Sequence, residues 1–381
     1  MGSRVLISIF FLISFLNAET RYKDEIFSEV TKIEDVVYGN APDLPFVFLF
    51  EWNTNDIDLK MDIYSPVGDT LTDRPIIVFL HSGGFVLGHN EKDDVVALSI
   101  ASAKRGYVAV SINYRLGMNV LSDYSAERAV YRGVQDLSAA IRYLRENYLY
   151  LGIDREKVFV WGTSAGAFAG LHLTFIDEDE RPESTFGGFL DPDLGCVDCE
   201  GNDYIHSSRP NALVSCWGAI GDLNWINEEN NTPIIMFHGT ADQVVPFNQG
   251  FPFSNVFFPF VYGSHRIYQR LNELNIENQI HAEQGLPHEY WGSSNGDWLD
   301  GPTEYFQLIK NDAYTFLFDL LYPYEIGDVN EDGSIDILDF TSILNFIIND
   351  SYPYFDLYYS DLNHDTFIDV FDLFLLLDRM N

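Results

Sequence analysis

The sequence predicts an α/β fold, a mostly parallel central sheet flanked by helices, with a small all-α module at the C-terminal end. Three observations carry that expectation. From about residue 60 to 321, short β-rich apolar runs alternate with longer helical segments. Near-continuous apolar strands separated by helices indicate a parallel sheet covered on both faces. After Leu321 the chain turns acidic with almost no basic residues, and a pattern recurs there: DVNEDGSIDILD from Asp328 and DLNHDTFIDVFD from Asp361, 33 residues later.

The elements follow in order. The N-terminus places one basic residue, Arg4, before an apolar run from Val5 to Leu16, with Ala18 as a small residue for cleavage. That run is too short to span a bilayer and has the length of a signal-peptide core, so residues 1–18 are expected to be a removed leader. Leu16 stands where the cleavage pattern prefers a small residue. No other apolar stretch reaches spanning length, so the mature chain is expected to be secreted, soluble and without a membrane span. The expected strands are PIIVFLH (75–81), YVAVSIN (107–113), KVFVWG (157–162), ALVSCWG (212–218), PIIMFHG (233–239) and QIHAEQG (279–285). Between Ser125 and Asn147, Val130, Val134, Leu137, Ile141 and Leu144 recur at spacings of four and three, one buried helical face. The stretch 175–211 breaks the rhythm with Gly, Pro and acidic residues and reads as an inserted loop or small cap. The domain plan is therefore a leader (1–18), a catalytic domain (19–321), a short linker (322–326) and a terminal module (327–381).

With 381 residues, 46% of them hydrophobic, the chain can bury a large core and more than one domain. Its net charge of −36, from 58 acidic and 22 basic residues, argues against nucleic acid and anionic membranes as partners, because phosphate contacts need Lys and Arg. Three cysteines, Cys196, Cys199 and Cys216, predict one disulfide and one odd thiol in an oxidising compartment, with the pairing open. A zinc site at Cys196 and Cys199 would need further ligands that the sequence does not place nearby.

The chemistry centres on GTSAG, Gly162 to Gly166, directly after the strand KVFVW and before the helix-compatible run AFAGLHL. A nucleophile on a sharp strand-to-helix turn needs glycines around it, and Ser164 occupies that position. A serine hydroxyl needs a base, and the base an orienting carboxylate. Asp242, in HGTADQVVP after the strand PIIMFHG, and His288, in GLPHEYW beyond the last expected strand, stand in the order Ser, acid, His. Asp222, in GAIGD, is the alternative acid. His238 and His281 lie inside strands and read as structural. HSGGF, His81 to Phe85, ends the strand PIIVFL; with Ala165, Gly83 and Gly84 are candidate backbone donors for an oxyanion.

With HSGGF, GTSAG, HGTAD and PHEYW as landmarks, residues 45–320 resemble the α/β-hydrolase family, in its carboxylesterase and lipase-like branch. Ser82 stands where many relatives carry glycine. The resemblance implies an acyl-serine mechanism, with Ser164 as nucleophile, His288 as base and then acid, and Asp242 holding the imidazole. A looser likeness around HGTADQVVPFNQG is to secreted esterases that act on acylated plant polysaccharides. The aromatic stretch FPFSNVFFPFVYG (251–263) is expected near the rim of the site, as core and loop packing in the plainer reading and as a grip on an acyl group such as ferulate in the sharper one.

In the tail, Asp328, Asn330, Asp332, Asp336 and Asp339 fall at positions 1, 3, 5, 9 and 12 of a calcium loop, with Gly333 at position 6 and Ser334 at the carbonyl position 7. Asp361, Asn363, Asp365, Phe367, Asp369 and Asp372 repeat the ligand spacing, with Thr366 in the glycine position. The paired loops resemble a type I dockerin, which implies structural calcium and a cohesin-bearing scaffold as partner. Leu338, Ile343, Leu344 and Ile347, and then Val370, Phe371, Leu373, Phe374 and Leu377, are the expected buried positions of its two helices. Ile337-Leu338 and Val370-Phe371 correspond to the partner-contacting pair at positions 10 and 11, as a docking face or as core packing. The expected protein is a serine carboxylic-ester hydrolase with an attachment module and no cofactor for catalysis. A catalytically silent scaffold of the same fold is the alternative, and lipase, polyesterase and peptidase are variants within the fold.

Overall fold

The structure is a computed structural model that describes residues 20–44, 51, 54–188, 191–349, 357–365 and 367–380. The expected leader and Thr366 lie outside them. The chain divides into two compact units, Arg21–Phe318 and Asp319–Asn381, and the division falls inside the helix Glu304–Leu321.

The larger unit is built on an eight-stranded sheet. In chain order its strands are β1 (Val30–Asp43), β2 (Asn55–Pro66), β3 (Arg74–Leu80), β4 (Val108–Ile112), β5 (Ile153–Thr163), β6 (Ala212–Cys216), β7 (Ile234–Gly239) and β8 (Asn278–Glu283). Their spatial order is β1-β2-β4-β3-β5-β6-β7-β8. From β4 to β8 every pairing is parallel, whereas β1–β2 and β2–β4 are antiparallel. The six apolar runs all become strands, and β3, β4, β6 and β7 are buried along their whole length. What sequence patterning missed is β1 and the start of β2. Strand β1 carries a largely polar, half-exposed sequence and register shifts after Ile33 and Val37, so no apolar run marks it.

Helices α1 (Asp93–Lys104), α2 (Asp123–Glu146), α3 (Ala165–Phe175), α4 (Ser264–Glu273) and α5 (Glu304–Leu321) complete this unit's main elements. Ser122 caps α2 by accepting from Ser125 N, and Val134, Leu137, Ile141 and Leu144 form its buried face, with Val130 partly buried. The arginines of this helix are buried as well. Arg128 donates to the carbonyls of Ser184 and Pro192 at 2.7 Å, and Arg142 to those of Glu200, Asn202 and Tyr204 at 2.6, 2.8 and 3.0 Å. Gln135 adds bonds to the carbonyls of Leu194 and Cys196. The insertion 175–211 therefore packs on α2 as a loop with two short 3-10 turns, several of its backbone carbonyls satisfied by side chains of α2 and that of Gly201 by the Asn40 amide of β1. Cys196 and Cys199 form a disulfide within it, and Cys216 is a buried free thiol on β6.

In the smaller unit, helices α6 (Ile337–Asn349) and α7 (Val370–Arg379) follow the two acidic loops. The core is Val329, Ile343, Leu362, Leu373 and Leu376, with Leu344 and Ile347 packed against it. Several expected core positions are corrected: Leu338, Val370, Phe371, Phe374 and Leu377 are exposed. Each helix buries one narrow stripe, and the remaining apolar residues face outward.

Replacing Arg142 by Leu removes the donors to three insertion carbonyls and leaves them buried without partners. The variant is expected to lose about 2–4 kcal/mol of stability, read as a lowered midpoint in chemical denaturation.

Candidate active site

Ser164 sits where β5 ends and α3 begins. Its backbone has φ 51° and ψ −115°, a strained conformation for a residue with a side chain. The turn is this tight because a Cβ on Gly162 would strike the Gly166 carbonyl, and one on Gly166 would strike the Leu80 carbonyl. Only glycine permits both approaches.

Asp242 follows β7 and His288 follows β8, so both reach the same end of the sheet. His288 Nδ1–H donates to Asp242 Oδ2 at 2.6 Å, and Ser164 Oγ lies 2.9 Å from His288 Nε2. With Nδ1 protonated, Nε2 presents its lone pair to the serine hydroxyl. Asp242 Oδ1 accepts from Val244 N (2.8 Å) and Val245 N (2.9 Å). Burial pushes this carboxyl up, but hydrogen bonds from His238 and His288 outweigh it and hold it well below the usual carboxylate range. Asp222 takes no part in this contact; it caps the turn Leu223–Trp225 by accepting from Asn224 N at 2.9 Å.

After β3 the chain turns through Gly83 (φ 123°) and Gly84 (φ 61°), with Val86 N and Leu87 N both donating to Gly83 O at 3.2 Å. His81 anchors this loop. Its Nδ1–H donates to Ser82 O at 2.6 Å, its ring stacks on Tyr114 at 4.2 Å, and Tyr114 Oη–H donates to His81 O at 2.8 Å. Burial pushes the His81 imidazole down to about 4, so it stays neutral. Ser82 is fully buried, and its hydroxyl has no hydrogen-bond partner among the described residues.

Gly83, Gly84, Ser164, Ala165 and His288 all border one cavity of about 510 Å³. Its walls are mainly apolar, with Met118 contributed by the loop before α2, Val130 and Phe168 by helices α2 and α3, and Pro252, Phe253 and Phe258 by the aromatic stretch 251–263. That stretch is thus cavity wall in part, with Phe253 and Phe258 also in mutual contact at 5.4 Å. No residue of 175–211 borders the cavity among the described residues. A serine hydroxyl within hydrogen-bond reach of an imidazole, nearby backbone amides and a mainly apolar cavity can together perform acyl transfer.

Two neighbours of the site were not singled out from sequence. Trp217, after β6, packs edge-on against the His288 ring at 6.1 Å. His238, which reads as an ordinary buried strand residue, lies 3.2 Å from Asp242 Oδ2. Only its position four residues before the acid could have hinted at this.

In the smaller unit, Asp328 accepts from the backbone amides of Asp332 and Gly333, and Asp339 from those of Val329, Asn330 and Asp336. In the second loop Asp361 accepts from Asp365 N, and Asp372 from the amides of Leu362, Asn363 and Asp369. Among the described residues no group of three or more His, Cys, Asp or Glu side chains forms a metal-holding arrangement. The donors of the loops are nevertheless all oxygens, and Asp328 and Asp339 are buried in a loop with no Lys or Arg, which suits a hard cation.

Residues 61–200 match the family model BD-FAE, and residues 326–381 match the Dockerin type I domain. The chain joins an α/β-hydrolase domain of the esterase family to a dockerin domain. Among curated proteins it is similar to Secreted lipase 1 of Botryotinia fuckeliana, 32% identical over 245 residues, covering 55% of this chain and 41% of that one. It is also similar to the Arylesterase of Saccharolobus solfataricus, 32% identical over 130 residues, covering 34% of this chain and 39% of that one. The matched segment of Gut esterase 1 of Caenorhabditis briggsae, 31% identical, covers 26% of this chain and 18% of that one. The chain thus spans less than half the length of these curated relatives. In fold, the hydrolase domain resembles Thermogutta terrifontis esterase 2, in the structure phosphorylated by paraoxon, with a TM-score of 0.51 and 21% identity, covering 79% of this chain and 98% of that one. No described helix is long and apolar enough to cross a membrane.

The depressed Asp242 carboxyl makes a pH prediction for the hydrolase domain. A carboxyl that ionises more readily when folded stabilises the fold above its unfolded value of about 4. That contribution is lost as pH falls from there toward the lower folded value. Asp242→Asn is expected to flatten the fall of the thermal midpoint between about pH 4 and pH 2 relative to wild type.

Proposed function

We propose that this chain is a secreted serine carboxylic-ester hydrolase that works through an acyl-serine intermediate. The observation that carries the reading is the hydrogen-bonded series from Ser164 Oγ through His288 to Asp242, at 2.9 and 2.6 Å. In it, His288 Nε2 accepts the Ser164 proton as Oγ bonds to the ester carbonyl carbon. The oxyanion is received by the amides of Gly83, Gly84 and Ala165. His288 then returns the proton to the departing alcohol, leaving the acyl group on Ser164. Water, deprotonated by the same imidazole, releases the acid and restores the serine. Asp242 keeps its charge throughout and stabilises the imidazolium.

The acyl group goes into the apolar cavity, whose Phe253 and Phe258 favour a flat aromatic acid, while a small acetyl group also fits the space. We assign the substrate to acylated plant polysaccharides, as acetyl or feruloyl esters. The dockerin domain tethers the enzyme to a cohesin-bearing scaffold outside the cell, with the exposed pairs Ile337-Leu338 and Val370-Phe371 at its docking face. Calcium holds that domain together: Asp328, Asn330, Asp332, Asp336, Asp339 and the Ser334 carbonyl would hold one ion, and Asp361, Asn363, Asp365, Asp369, Asp372 and the Phe367 carbonyl a second. Its charge would neutralise clustered carboxylates that otherwise repel.

Two measurements test this reading. Ser164→Ala is expected to reduce turnover of a p-nitrophenyl ester and of feruloylated and acetylated xylan by at least about 10³-fold and to abolish covalent labelling by paraoxon. Retained turnover or labelling at another residue would overturn the assignment. For the dockerin domain, adding a calcium chelator to the full chain is expected to lower the thermal midpoint of the C-terminal unit and leave ester turnover unchanged. An unmoved transition would remove calcium from the account.

A further inference from the structure

We infer that His238 is a positioning residue for the ester-cleaving relay, holding the Asp242 carboxylate in line with His288 through its Nε2–H. The inference rests on the proposed roles of Ser164, Asp242 and His288. His238 lies near the end of β7 and is fully buried. Its Nε2 is 3.1 Å from the Val245 carbonyl oxygen and 3.2 Å from Asp242 Oδ2. Neither the carbonyl nor the ionised carboxylate has a proton to give, so Nε2 carries one; it donates to the Val245 carbonyl and lies 3.2 Å from Asp242 Oδ2 as an electrostatic contact. Nδ1 lies 2.8 Å from Ser264 Oγ at the first residue of α4, and that hydroxyl donates to it. Phe247 packs edge-on against the ring at 5.5 Å. Hydrogen bonds at both nitrogens and packing against the ring leave the imidazole one orientation and one tautomer.

The consequence falls on Asp242. Its Oδ1 is fixed by the amides of Val244 and Val245, but those two bonds let the carboxylate pivot about that oxygen. Among the described residues, Oδ2 faces only the imidazoles of His288 and His238. His288 is the ring to be oriented and has to move a proton, so it cannot also be the fixed anchor. His238 is that anchor. It does not border the cavity, so it touches no substrate. Its effect must therefore fall on the step in which imidazolium forms, and not on binding.

The pair His238→Gln and His238→Met tests this, because the two side chains are nearly equal in length and only Gln keeps an N–H donor. Turnover is measured per active site, with sites counted by fluorophosphonate titration so that unfolded molecules drop out. The Met variant is expected to lose roughly tenfold in kcat with KM within about twofold, and the Gln variant to recover most of that loss. Equal kcat per titrated site in the two variants would overturn the inference, including where the Met variant is partly unfolded, since His238 would then serve the core alone. A rise in KM at constant kcat would overturn it too. Ser164→Ala in the same assay separates the two readings: turnover there defeats the triad itself and this inference with it, whereas an inactive Ser164→Ala beside equal His238 variants defeats only the role of His238.

Discussion

The site depends on the contact of the Gly162–Gly166 turn with the Leu80 carbonyl. That contact lets α3 begin immediately at the end of β5, which forces Ser164 to φ 51°. Strain of this kind costs about 1–3 kcal/mol and persists only where the surroundings over-determine it. Here the surroundings are β3, β6 and the inner half of β5, all buried. The same contact ties Ser164 to the end of β3, from which the Gly83–Gly84 loop departs. Gly83 and Gly84, Ser164, Asp242 and His288 thus come from the ends of β3, β5, β7 and β8, which follow one another along one side of the sheet with only β6 between them. A shift of the turn away from Leu80 would move the serine relative to all of them.

What could be read from sequence follows from how local each constraint is. The elbow is a five-residue matter, and its glycines announce it. Strands β3, β4, β6 and β7 are buried on both faces, so their apolar runs are unbroken. Strand β1 lies at the sheet's edge, paired with β2 and bridged at Asn40 to Gly201, and its polar, irregular sequence gives no such run. The order Ser164, Asp242, His288 was legible because each lies beside a strand end, but the distances between them are set by the sheet and by no spacing in the chain. His238 was illegible for the same reason. A histidine inside an apolar strand looks the same whether it fills space or faces a carboxylate 3.2 Å away.

Helix α2 shows a second limit of pattern reading. Periodicity sorts Arg128, Arg142 and Arg145 with solvent, yet all are buried. They are there because an irregular insertion brings many carbonyls with no strand or helix to satisfy them. A guanidinium offers five donors in one plane, so a few arginines can serve a long loop. Buried carboxylates such as Glu51 and Asp136 accompany the buried arginines, so the exterior keeps the acidic excess of the composition, 58 acidic residues against 22 basic ones. The long-range field at this surface accordingly attracts cations and repels polyanions, and leaves neutral polymers unaffected.

Both acidic loops carry Asp at position 12, Asp339 in the first and Asp372 in the second. In a calcium loop the residue at that position is usually the longer Glu, which reaches the ion from the following helix. Asp339 instead spends its carboxylate on three backbone amides, at 2.7 and 3.1 Å on Oδ1 and 2.8 Å on Oδ2. Asp372 repeats this at 2.8, 3.4 and 2.9 Å. The shorter side chain stays close to the start of the helix and ties the loop's entry and ninth residue to it. That closure does not depend on the residue at position 6, so the second loop forms the same bonds with threonine there. Asp at position 12 is therefore first a loop-closing residue. Its two copies also bring the neighbouring Ile337-Leu338 and Val370-Phe371 pairs to equivalent, outward-facing places at the starts of their helices.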